Sequence, residues 1–233
     1  MRFIKRLLFT IFLIFVIVIG VIFFMGYSMY NNAIGENSIS KRIEDIKSDE
    51  NYVVFDNISD DFKNAIVAVE DHRFYSHTGI DFITTARSML ENIRHKDIVA
   101  GGSTISQQVG RLMYFTQEQR FSRKIAELFV AFDLEEDYSK EDILELYCNL
   151  VYYGDGYYGI KEASLGYFDK EPKDLSLAES SLLAGLPNAP SVYAPTKNPD
   201  LCKKRQEAVL TQMVKYEYIS EEQKQDVLDN YEY

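Results

Sequence analysis

In the stretch VAVEDHRFYSHTGID, Val67 to Asp81, Glu70 follows an apolar stripe of Phe62, Ile66 and Val69 at i, i+4 and i+7. A carboxylate at the border between core and solvent loses part of its hydration, which raises its pKa toward the working range of a general base. His72 and His77 lack the i, i+4 spacing of a helical zinc pair, and no H-E-x-x-H is present, so they read as supports of the turn around Gly79. A second constellation lies in RFSRKIAELFVAFDLE, Arg120 to Glu135. At about 100° per residue, Arg120, Arg123, Lys124 and Glu127 share a face opposite the apolar stripe of Ile125, Leu128, Phe129 and Phe132. Taken alone, that face reads as solvated and salt-bridged. A third is VAGGSTISQQ, Val99 to Gln108, with Arg111 soon after. Its double-Gly turn precedes a Ser and a Thr that can cap a helix starting near Ile105, and free N–H groups at a helix start suit an anion. The Lys-Ser/Thr ending of a P-loop is absent. Each feature alone has a plain structural reading; together, beside an apolar anchor, they suit an enzyme that handles a lipid-borne phosphate sugar.

The elements that must hold these groups read as follows. Leu7 to Gly26 is an uncharged apolar run of the length a helix needs to cross a bilayer, about 20 residues. A cleaved signal would have a shorter apolar core, about 7–15 residues, ending in small residues. Arg2, Lys5 and Arg6 precede the run, so residues 1–6 are expected in the cytoplasm and the rest outside. Tyr27 to Glu50, polar and rich in Asn and Ser, reads as a juxtamembrane stalk, with the catalytic domain over residues 51–233. From there the apolar residues recur mainly at helical spacing, which makes the fold mainly α. Ser59-Asp60-Asp61 suits a helix start, Ser139 caps the stripe Ile143, Leu146, Tyr147 and Leu150, and Ser176/Glu179 and Ser220/Gln223 read as capping boxes. The Pro-rich Gly185 to Pro199 reads as an ordered loop. Lys and Arg number 25 against 36 Asp and Glu, a net charge of −11, which argues against a nucleic-acid partner. Two cysteines, Cys148 and Cys202, make no disulfide framework, and Cys148 reads as a buried free thiol.

Five segments in order resemble the peptidoglycan glycosyltransferases of family 51. EDHRFYSHTG is similar to the family's E-D-x-x-F-x-x-H-x-G, GGSTISQQ to its G-G-S-T-I-T-Q-Q, and RKIAE to its R-K-x-x-E. ILELYCNLVYYGDGYYGI, which includes Asn149, and LAESSLLAGLPNAPSVYAP resemble the two remaining motifs. The resemblance covers Tyr52 to Tyr218, and with the chain ending at Tyr233 it points to the monofunctional transglycosylases. It implies a lysozyme-like, two-lobed glycosyltransferase domain after a single transmembrane helix, and lipid II as substrate. It also implies that Glu70 deprotonates the acceptor's 4-hydroxyl, which displaces the donor's pyrophosphate with inversion. Glu127 is the second family carboxylate, stabilising the donor end or holding a divalent cation such as Mg or Mn; no organic cofactor is implied. Ser103, Gln107, Gln108, Arg111, Arg120, Arg123, Lys124 and Asn149 are the expected substrate-binding residues. Expected partners are lipid II, the growing lipid-linked glycan, the membrane, and cell-wall elongation or division proteins. The chain departs from the family pattern where Arg111 replaces a frequent Lys, where Gln119 stands for an Arg found one place later as Arg120, and where Ala126 replaces a Lys. Two other classes compete: a lysozyme-like hydrolase, since paired carboxylates also cleave glycans, and a non-catalytic anchored scaffold.

Overall fold

Residues 2–95, 101–116 and 120–231 are described by a computed structural model; the expectations placed on Val99, Ala100 and Gln119 lie outside them. The helices are α1 (Arg2–Glu36), α2 (Ile39–Lys47), α3 (Asp60–Glu70), α4 (Phe82–His95), α5 (Ile105–Tyr114) and α6 (Phe121–Asp137). They continue as α7 (Lys140–Leu150), α8 (Gly159–Phe168), α9 (Leu177–Gly185), α10 (Pro190–Tyr193), α11 (Pro199–Lys215) and α12 (Glu221–Asn230). No strand occurs among the described residues, so the mainly α, lysozyme-like class holds. The starts are set by local chemistry: Thr104/Gln107, Ser139/Asp142, Ser176/Glu179 and Ser220/Gln223 form reciprocal capping boxes at α5, α7, α9 and α12. Ser59, expected to cap α3, instead donates its hydroxyl to the Leu175 carbonyl and ties α3 to the loop before α9.

Helices α3, α7, α9 and α11 build the core, where Phe62, Ile66, Leu146, Leu183 and Leu210 are fully buried. Cys148 and Cys202 are free and buried there, and burial pushes the Cys202 thiol up to about 12. The Pro-rich segment is not a plain loop. Pro187 and Pro190 sit at the first turns of a 3₁₀ helix and of α10, and Pro199 at that of α11, where a missing N–H costs nothing. In contrast, α4 buries only Ser88. It is tied to the glycine turn by Ser88 Oγ and Thr85 Oγ1, which donate to the carbonyls of Gly101 and Gly102 at 2.9 and 3.2 Å.

Two expectations are overturned. The supposed stalk is largely helical: α1 continues to Glu36, Ser38 caps α2, and Ile43 joins the core. The reason is tertiary, because Arg42 Nε donates to the Met113 carbonyl and Tyr114 donates to that of Asn37. The second concerns the faces of α6. Phe129 meets Phe23 and Tyr27 of α1 edge-on at 5.5 and 5.2 Å, Tyr30 donates to Asp133, and Phe132 stays 43% exposed. The face expected in solvent is the buried one, with Arg123, Ala126, Glu127, Val130 and Leu134 turned inward. Toward its start α1 is bare, and Phe3–Glu36 is one helix long and apolar enough to cross a membrane.

Gly26 permits the α1–α6 approach, since a Cβ there would lie 2.5 Å from Ile125 Cβ, whereas a Cβ on Gly20 meets nothing. Gly26→Leu is expected to destabilise the protein by about 1–3 kcal/mol through overpacking, and Gly20→Leu to change stability little. Thermal unfolding in detergent checks this; equal melting temperatures for the two variants would contradict the packing.

Candidate active site

Glu70 closes the last turn of α3, with Asp71 as its C-cap. The helix dipole is negative at this end, and the partly buried carboxylate has lost much of its hydration, so both influences oppose ionisation. Loss of water is the largest effect and raises the Glu70 pKa. A hydrogen bond from Gln108 Nε2 to Oε2 at 2.9 Å and the charges of Arg205 and Arg111 pull the other way, and Asp71 adds to the rise; the net is upward. Glu70, Gln108, Arg111 and Arg205 line a cleft of about 510 Å³ together with Ser103, Asn188 and Gln212.

The turn around Gly79 holds the cleft's first wall in register. Asp71 is gripped by His77 Nε2 at 3.0 Å and accepts the Ile105 N–H at 3.0 Å, and Thr104 Oγ1 donates to the Gly79 carbonyl at 2.6 Å. One carboxylate thereby joins the end of α3 to the start of α5. His72 stacks on Tyr216 at 4.2 Å. His77 thus supports the turn as expected, whereas His72 packs against the end of α11 instead. The start of α5 is not the open anion site the glycine turn suggested, because its first amide is taken by Asp71 and its third by Thr104 Oγ1.

Ser103 is the hinge between two cavities. On its far side lies a largely apolar cavity of about 930 Å³, bounded by Phe82, Met89, Ile93, Phe121 and Leu128. Lys124 enters this cavity, donates to Ser103 Oγ at 2.9 Å and pairs with Glu127 at 2.7 Å. Glu127 is 1% exposed, and Arg123, 3.3 Å away on its other side, donates to the Thr116 carbonyl. With two cations against its carboxylate, Glu127 does not fit a divalent ion, and no cluster of three potential metal ligands occurs among the described residues.

The structure thus brings Glu70, Gln108 and Arg111 into one cleft and Ser103, Gln107 and Lys124 around the other. Gln107 also caps α5 through its side-chain oxygen. Arg123 lies behind Lys124, and Arg120 is an exposed N-cap residue of α6 outside both linings. Asn149 is not in either cleft. Its amide brackets Val53, accepting from the N–H at 2.8 Å and donating to the carbonyl at 2.9 Å, so it pins the segment before α3. Arg205 was missed by sequence reading. Its position in α11 repeats the phase of the buried Cys202 and Val209, and a cation inside an apolar stripe was the available signal. Gly185 lets it pass, since a Cβ there would lie 2.9 Å from Arg205 Cγ, and the Gly185 carbonyl accepts from Arg205 Nε at 3.1 Å.

A raised Glu70 pKa has a consequence for stability. Between the ordinary value of 4.5 and the native value, the folded protein binds more protons than the unfolded chain, so stability falls as pH rises through that window. Glu70→Gln removes the buried charge and is expected to melt higher than the wild type at neutral pH, with the gap closing below 4.5. A lower melting temperature at neutral pH would contradict the desolvation of Glu70.

The family model described as transglycosylase matches residues 36–214. Penicillin-binding protein 1F of Bacillus subtilis (strain 168) is 45% identical over 158 residues, covering 68% of this chain and 22% of that protein. Penicillin-binding protein 1A of Neisseria lactamica and that of Neisseria cinerea are each 42% identical over 167 residues, covering 72% of this chain and 21% of their own. The chain spans about a fifth of the length of these relatives. With a match that runs from the end of α1 through nearly all of α11 and takes in Glu70, Ser103, Lys124, Glu127 and Arg205, the chain belongs to the transglycosylase family.

Proposed function

We propose that this domain is a peptidoglycan glycosyltransferase that polymerises lipid II into linear glycan. The observation that carries the reading is the partly buried Glu70 carboxylate, held by Gln108 and flanked by Arg111 and Arg205, in a cleft that shares Ser103 with the apolar cavity. Glu70 takes the proton of the acceptor's 4-hydroxyl as that oxygen forms a bond to the donor's anomeric carbon. The bond from that carbon to the phosphate oxygen breaks, its electron pair leaves with undecaprenyl pyrophosphate, and the configuration inverts. Fixed cations at the leaving group lower this barrier without reorganising. Lys124, oriented by Glu127 and Ser103, is the cation that reaches the apolar cavity, where a polyprenyl chain would find Met89, Ile93 and Phe121. Arg111 and Arg205 serve the Glu70 side. Glu127 acts as the anion that holds Lys124 and Arg123 in place.

The domain works at a membrane surface in this reading, with α1 as a single-pass anchor, the bases Arg2, Lys5 and Arg6 inside, and the clefts outside. Division or elongation proteins would meet it there. The burial of Glu127 behind two cations argues against a hydrolase, which needs a second carboxylate facing the scissile bond. Membrane fractions carrying the full chain are expected to polymerise lipid II, and Glu70→Gln to lower the rate by about 10²–10⁴-fold, the range for loss of a general base. Undiminished polymerisation by the variant, or release of fragments from lipid-free glycan by the wild type, would overturn the reading.

A further inference from the structure

Two walls of the Glu70 cleft come from different helices. Glu70 ends α3, while Arg205, Ala208 and Gln212 belong to α11 and follow one another at three and four residues, which puts them on one stripe of that helix. The stripe runs on to Tyr216, four residues past Gln212, and on the other wall the chain runs on from Glu70 through Asp71 to His72. These two extensions meet. The His72 and Tyr216 rings stack with centroids 4.2 Å apart and planes 13° from parallel, and neither residue is part of the cleft lining.

The end of α11 is fixed for that contact. Tyr216 donates its amide to the Gln212 carbonyl at 3.0 Å, so one helical turn joins the ring that meets His72 to a residue that lines the cleft. The helix then stops sharply. Tyr218 donates to the Met213 carbonyl at 2.9 Å and Glu217 to that of Val214 at 3.0 Å, with Glu217 in the left-handed region at φ 63°. This is the position where a helix end usually carries Gly, and a side chain there is strained. Such strain persists only where the surroundings over-determine it, and the half-buried Tyr216, packed on the core and stacked on His72, supplies that hold.

The stack does not need a charge on His72. Tyr216 already has a cation at its ring, Lys215 Nζ, 4.9 Å from the centroid. Burial and then the charge of Arg87 from α4 push the His72 pKa down, Lys215 acts in the same sense, and Asp71 and Asp81 oppose them. His72 therefore meets Tyr216 as a neutral ring at neutral pH.

We infer that His72 is a positioning residue for the reaction: its ring, stacked on Tyr216, clasps the end of α11 to the end of α3 and so sets Arg205 and Gln212 at their distance from Glu70. The inference rests on the reading of Glu70 as general base. Groups that must face one another in the transition state lose rate steeply when one wall drifts, even where the drift begins outside the cleft. The clasp thus governs kcat more than the binding of lipid II.

The test is a double-mutant cycle on lipid II polymerisation by the full chain in detergent, with melting temperatures alongside. His72→Ala and Tyr216→Ala are each expected to lower kcat by about 10–100-fold with a smaller change in KM, and the double variant to be no slower than the slower single. His72→Phe keeps a neutral ring and is expected to restore most of the rate. Losses that multiply in the double variant, singles that melt lower but keep the wild-type kcat, or a His72→Phe variant as slow as His72→Ala would each overturn the inference. Should an alanine variant not fold, Tyr216→Leu keeps apolar bulk on the core without the ring; it is expected to lose kcat likewise, and a wild-type kcat overturns the inference. If Glu70→Gln is inactive in the same assay, the base reading survives any of these failures; if it is active, the base reading itself falls.

Discussion

Glu70 sits where two effects oppose its charge, at the negative end of the α3 dipole and shielded from much of the solvent, and the surrounding helices are arranged around that penalty. Gln108 from α5 donates to it, Arg111 and Arg205 from α5 and α11 offset it, and Asp71 beside it is held by His77 and the Ile105 amide. Remove the Asp71 bracket and α5 loses its register to α3, and with it the placement of Gln108. The packing of α3 against α9 and α11, with Phe62, Leu183 and Leu210 fully buried, is what makes the enclosure rigid.

The second half of the site depends on α6 having two faces that meet different neighbours. Its inner face carries Arg123 and Glu127, and its outer stripe is covered by α1 through Phe23, Gly26, Tyr27 and Tyr30. The helix long enough to cross a membrane is thereby packed on the helix that presents Lys124.

Much of this was legible in the sequence because the signals were local. Thr104, Ser139, Ser176 and Ser220 cap their helices, since a cap needs only a side chain three residues from its amide. The pairing of Glu127 with Arg123 and Lys124 also followed from helical spacing. What failed was tertiary. Periodicity distinguishes two faces of a helix but not which neighbour each will meet, so the face of Arg123 and Glu127 was read as solvated and proved buried, while the stripe Ile125 to Phe132 is the seat of α1. Tyr27 to Glu50 looked like a linker because its few apolar residues, Ile43 among them, are widely spaced, yet Arg42 and Asn37 bond to α5 and its end. Asn149 carried a binding role only by resemblance, and its amide is taken by Val53. Arg205 reaches Glu70 through the packing of α11 on α3, which no local spacing encodes.

The account stands on the proton affinity of one side chain. Isotope-edited infrared titration of the Glu70 carboxyl in the folded, full-length protein measures it directly, with Glu70→Gln identifying the band. The expected midpoint lies above the ordinary glutamate value of 4.5, and restoring solvent to the site by denaturation returns it to that value. A midpoint at or below 4.5 in the folded state would contradict the claim that desolvation governs this site.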